Sequence, residues 1–251
     1  MTKTIDNTLW KNYIDTLELT PLFVTVSGAH LYGFPSIDSD VDLRGTHLLP
    51  LDKVIGLTVS GETFEASKIH QGIEVDLVSH DVHKYFQLLV KNNGYILEQV
   101  FSPLVIQGQS FLDRLKPIAG RCITKHHYHH YRGFYGTQRK LIEKQEEKTV
   151  KAVLYAYRVL MTGIHLLNTG RVEANVLLLN QEFQLTFMDE LIEMKKNEKI
   201  APKDLDWNFH AGQLELLEAK LDQAFESSSL PEDRDRAAVN DFLIDLRING
   251  V

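Results

Sequence analysis

The chain has 251 residues, 43% hydrophobic and 24% charged, with a formal net charge of -7. That is ordinary globular composition, which excludes disorder, collagen or a coiled-coil array as a description of the whole chain. The acidic balance argues against a general nucleic-acid coat, which is more often basic.

One cysteine, Cys122, leaves no intramolecular disulfide framework. The first residues lack the apolar run of a signal peptide. No stretch reads as the roughly 20 apolar residues of a membrane span. The expectation is a soluble cytoplasmic protein without a membrane partner.

Taken in chain order, Leu22 to Ser27 is apolar and β-branched and ends at Gly28, as a buried strand entering a tight turn does. Val41 to Leu49 is strand-sized and stops at Pro50. Thr63 to His70 and Ile73 to Ser79 flank Gln71-Gly72, a hairpin pattern. Then the period changes. Val82, Tyr85, Phe86, Leu88 and Leu89 suit one helix face, with Asp81 in its first turn. A short helix follows from Tyr95 to about Val100.

Beyond about residue 110 the pattern is helical. Helices are expected from Phe111, over His126 to Gln145, Thr149 to Asn168, Gln213 to Phe225, and Arg236 to Ile248. The fold class is α+β: a mixed sheet with helices over residues 1–110, then a helical bundle over 111–251.

The chemistry concentrates between Val26 and Gly45: Val-Ser-Gly-Ala-His-Leu-Tyr-Gly-Phe-Pro-Ser-Ile-Asp-Ser-Asp-Val-Asp-Leu-Arg-Gly. Strand residues two apart share a face, so Asp40 and Asp42 point the same way, roughly 6.5 Å apart along the chain. Two carboxylates on one face repel unless a cation lies between them, and a hard divalent ion is the natural partner. On Ile73 to Val78 the alternation puts Glu74 and Asp76 on one face. If that strand pairs beside the first, Asp76 completes a cluster of three. Such a cluster with two metals serves in-line phosphoryl or nucleotidyl transfer.

These motifs resemble the nucleotidyltransferase superfamily that includes DNA polymerase β. Within it, Tyr32-Gly33, Ser39-Asp40-Val-Asp42-Leu-Arg44-Gly45 and Pro50 resemble a predicted nucleotidyltransferase group associated with RNA repair. Asn92 to Ser102 and Lys148 to Gly170 are similar to that group as well. The resemblance implies Mg²⁺ (or Mn²⁺) held by Asp40, Asp42 and Asp76, with Asp76 as candidate general base. It implies an NTP whose β- and γ-phosphates lie against Gly28 and Ala29, and an acceptor hydroxyl, with an RNA end among the candidates. Ala29 stands where the family usually has serine; Ser27 or Ser39 are the nearby hydroxyls.

Arg44 is open to two readings: neutralising triphosphate charge, or pairing with Asp40, Asp42 or another carboxylate. Lys151, Tyr155 and Arg158 recur at helical spacing on one face. They read either as a basic stripe for triphosphate or polynucleotide, or as a solvated face paired with Glu146 or Glu147. His126 to His130 has the spacing of a transition-metal pair but no third ligand nearby in sequence; a helix face contributing Tyr128, Tyr131 and Arg132 is the plainer reading. Cys122 reads as structural.

Two rival functions stay open beside nucleotidyl transfer. One is a catalytically degenerate nucleotide- or RNA-binding regulatory protein, which Ala29 motivates. The other is a hydrolase that uses the same carboxylates on water. Acceptor, preferred base and oligomeric state are not encoded in any motif.

Overall fold

The computed structural model describes residues 5–58, 61–197 and 205–250. Residues 1–4, part of the N-terminal stretch read for a signal peptide, lie outside them. The chain divides into two compact units. One takes the chain up to Leu31, Asp38–Cys122 and the chain from Asp233 onward; the other takes Tyr32–Ile37 and Ile123–Glu232.

The first unit opens with α1 (Asn7–Asp15), β1 (Pro21–Val26), α2 (Gly28–Tyr32), β2 (Val41–His47) and α3 (Leu51–Val54). It continues with β3 (Thr63–His70), β4 (Ile73–Asp81), α4 (Val82–Leu89), α5 (Gly94–Val100), β5 (Val105–Gln107) and α6 (Gln109–Gly120). The second unit carries α7 (His127–Lys144), α8 (Val150–Thr169), α9 (Val176–Phe183), α10 (Met188–Asn197) and α11 (Trp207–Ser227). The last helix, α12 (Arg236–Asn249), returns to the first unit. The class is α+β, as the sequence pattern indicates.

The sheet order is β3-β4-β2-β1-β5. β2 and β4 are parallel, and the other neighbours are antiparallel. β3 and β4 form the expected hairpin, whose turn residues Gln71 and Gly72 both have positive φ. That is the primed turn geometry that matches strand twist.

Alternation then sorts the side chains. Val41 and Leu43 on β2, and Val75 and Leu77 on β4, are buried against Trp10, Tyr13 and Ile14 of α1. Asp42, Arg44 and Asp76 take the opposite face. Further along that face, Phe23 meets Tyr85 of α4 and Phe111 of α6, and Phe111 stacks on Phe242 of α12. This aromatic chain is why α6 and α12 group with the sheet, whereas the sequence reading ended that domain near residue 110.

Several elements differ from expectation. β4 runs on to Asp81, whose side chain caps α4 by accepting from His83 N at 3.0 Å. Short or weakly periodic elements were not read at all: α1, α3, β5, α9 and α10. A three-residue strand such as β5 exists because β1 offers it a ladder, and no period can show in so few residues. α8 also corrects the membrane reading. It is 20 residues long and holds an 18-residue stretch of mean hydropathy 1.2, long and apolar enough to cross a bilayer. Most of it is buried inside the protein, with Thr149 as its N-cap and Gly170 in the left-handed region as its C-cap.

Candidate active site

The site lies where β1 gives way to α2 beside the start of β2. Ser27 N donates to Asp42 O at 2.8 Å, which brings the turn against β2. Gly28 follows with φ +62°, and a Cβ there would stand 1.9 Å from Asp42 Oδ2. Only glycine permits both that φ and that approach. Ala29 is buried in α2.

The parallel ladder sets Asp42 directly beside Asp76. Their carboxylates converge on one nitrogen. Arg44 Nη2 donates to Asp42 Oδ1 at 2.8 Å and to Asp76 Oδ2 at 2.9 Å. Arg44 Nη1 donates to the backbone oxygens of Leu43 and Asp76, at 2.8 and 2.7 Å. Two negative charges at adjacent strand positions repel, and a guanidinium with four acceptors relieves that repulsion. The ion-pair reading of Arg44 is therefore present in the structure.

Asp40 is exposed and precedes Val41, the first paired residue of β2, so no ladder orients it. Among the described residues, no three His, Cys, Asp or Glu side chains are gathered closely enough to hold a metal. The structure brings Asp42 and Asp76 together and does not gather Asp40 with them. Ser39 is half-buried, between the turn at Ile37 and Asp38 and the exposed Asp40. The donor set is nonetheless that of a hard divalent cation: carboxylate oxygens from two strands, already converging on one positive group.

In the second unit, Lys151 is exposed whereas Arg158 is 1% exposed, its guanidinium 4.0 Å over the Tyr32 ring. Tyr155 packs edge-on against Tyr32 and Phe34. This helix face is thus neither a continuous basic stripe nor a solvated one; it packs residues 32–37. Lys195 Nζ donates to Ser36 Oγ at 2.9 Å in the same cluster. The sequence reading missed this role of Lys195.

The histidine run is a packing feature. The His126 and His129 rings stack 5.9 Å apart beside Phe225, and His127 is buried. Burial, reinforced by His127 and Arg158, pulls the His130 pKa down to about 4. Tyr128 and Arg132 turn to Asp222. Cys122 is buried, and burial followed by nearby Asp235 pushes its thiol up to about 11, which suits a structural cysteine rather than a nucleophile.

The sequence of residues 1–245 matches RlaP, described as the RNA repair pathway DNA polymerase beta family. The chain belongs to that family. An uncharacterised protein of Methanocaldococcus jannaschii is 35% identical over 157 residues, 62% of this chain and 63% of that one. The chain thus matches less than two thirds of that relative's length. A nucleotidyltransferase-like protein from Exiguobacterium sibiricum is loosely similar in structure, with TM-score 0.32 and 14% identity over 88% of this chain and 73% of that one. Membership in the polymerase beta family suggests a nucleotidyltransferase, and the carboxylate pair on β2 and β4 is where its chemistry would be sought.

Proposed function

We propose that this polymerase beta family member transfers a nucleoside monophosphate from an NTP to an acceptor hydroxyl, with an RNA end as the acceptor class. The observation that carries the reading is the register of β2 and β4, which sets Asp42 beside Asp76 next to the Gly28 turn.

In this reading the acceptor oxygen bonds to the α-phosphorus, its proton passes to Asp76, and the bond to the bridging oxygen breaks to release pyrophosphate. Gly28 and Ala29 offer backbone N–H groups to the β- and γ-phosphates. Arg44 supplies positive charge beside the carboxylate pair. Mg²⁺ or Mn²⁺, held by Asp42 and Asp76 with exposed Asp40 recruited, would neutralise phosphate charge and acidify the attacking hydroxyl.

A second reading, a nucleotide- or RNA-binding regulatory protein without turnover, is favoured by Ala29 in place of serine. The test is incubation with each α-³²P-labelled NTP, Mg²⁺ or Mn²⁺, and total RNA. Label entering RNA, and lost by roughly a thousandfold or more in Asp42→Asn or Asp76→Asn, supports transfer. Nucleotide binding without labelled product under any metal supports the regulatory reading.

A further inference from the structure

Arg44 makes four hydrogen bonds beside the Asp42 and Asp76 carboxylates. The guanidinium does not face outward toward incoming phosphate. It lies across the pair, and its Nη2 takes one oxygen from each carboxylate. Its other nitrogen is held by two backbone carbonyls of the same strands. A divalent ion bound to both carboxylates needs oxygens at about 2.1 Å and would stand a few ångströms from the guanidinium. The two cations therefore compete for one pair of anions.

We propose that Arg44 is an internal counter-cation that gates metal entry. It holds Asp42 and Asp76 until a triphosphate draws it away, so that metal and nucleotide are taken up together. The planar, multiply donating guanidinium suits phosphate oxygens as well as carboxylates, so the exchange keeps its hydrogen bonds. Metal and nucleotide binding are then positively coupled, and by linkage each strengthens the other by the same factor. Arg44 is the origin of the coupling. This rests on the reading of Asp42 and Asp76 as metal ligands.

The test measures Mn²⁺ binding from the loss of the free-ion electron paramagnetic resonance signal, with and without a non-hydrolysable NTP analogue. The proteins are the natural chain, Arg44→Gln, Arg44→Lys and, as background, the double variant Asp42→Asn/Asp76→Asn. Circular dichroism checks folding.

The expected result is that Arg44→Gln binds Mn²⁺ alone roughly tenfold tighter than the natural chain, about 1.4 kcal/mol. The gain in Mn²⁺ affinity that the analogue brings to the natural chain then shrinks by the same factor. Arg44→Lys falls between them, because a point charge on a flexible stem spans two carboxylates poorly; it carries the test alone if Arg44→Gln does not fold. Equal or weaker Mn²⁺ binding in the Arg44 variants, lost in the double variant, overturns the gate while leaving the metal pair standing. Binding no different from the double variant in every protein overturns the gate and the metal-ligand reading together.

Discussion

At Gly28 the turn, the strand and the candidate chemistry meet in one residue. Its φ of +62° disfavours any side chain, and a Cβ would stand 1.9 Å from Asp42 Oδ2. Gly28→Ala must therefore move the Asp42 carboxylate or the backbone. We expect a loss of about 1–3 kcal/mol in unfolding free energy in urea titration, with a larger loss of nucleotidyl transfer than the stability change accounts for.

Ala29 poses the reverse experiment. It is 7% exposed, and its side chain lacks only the hydroxyl oxygen of a serine. Ala29→Ser adds a hydroxyl that can donate to a phosphate oxygen, a bond to a charged group of about 1.5–3 kcal/mol. NTP affinity by calorimetry should rise about ten- to hundredfold. No change would mean that the triphosphate does not lie there.

Among the elements, α12 is tied to the sheet by a buried ion pair. Asp81 is 0% exposed. It caps α4, accepts from Leu49 N at 3.0 Å and accepts from Arg247 Nη2 at 2.5 Å. Arg247 Nη1 also donates to Leu49 O at 2.8 Å. A carboxylate with no exposure depends on each of these donors. Arg247→Met takes away the guanidinium that pairs with it, and breaking a buried pair costs about 3–5 kcal/mol. Urea unfolding followed by far-UV circular dichroism should show that loss. Asp81→Asn/Arg247→Met, which removes both charges, should recover part of it. α12 itself was legible, because its apolar spacing is helical. That it belongs with a sheet far earlier in the chain was not, because the Arg247–Asp81 pair spans 166 residues.

At the scale of the whole molecule, buried and half-buried histidines set the acid limit of stability. Burial lowers the pKa of His47, His80 and His210, and takes His130 to about 4. Each binds its proton less readily folded than unfolded, where the value is 6.5. Their contribution to stability is therefore present in full above pH 6.5. It is lost as pH falls through the depressed folded values toward about 4, because the unfolded chain takes up protons that the folded one refuses. Unfolding free energy from urea titration should fall steadily from pH 7 to pH 4.5, and His130→Gln should make that slope shallower. A flat profile would mean that these rings are hydrated in solution.

The four longer strands, their polar and apolar faces and the long helices of the second half were legible in the sequence. Periods of two and of 3.6 residues are local properties that survive without a partner. The sequence also offered the residues of the candidate site, since Gly28, Asp42, Arg44 and Asp76 stand out by chemistry and spacing. Tertiary structure alone decided how they meet. The parallel pairing of β2 with β4 sets Asp42 beside Asp76, and Arg44 then takes both carboxylates while Asp40, outside the ladder, joins neither. Arg158 shows the same limit: helical spacing placed it on a face with Lys151, but only packing against Tyr32 decided that Arg158 is buried while Lys151 stays exposed. Register and burial are relations between segments distant in the chain, and no local pattern carries them.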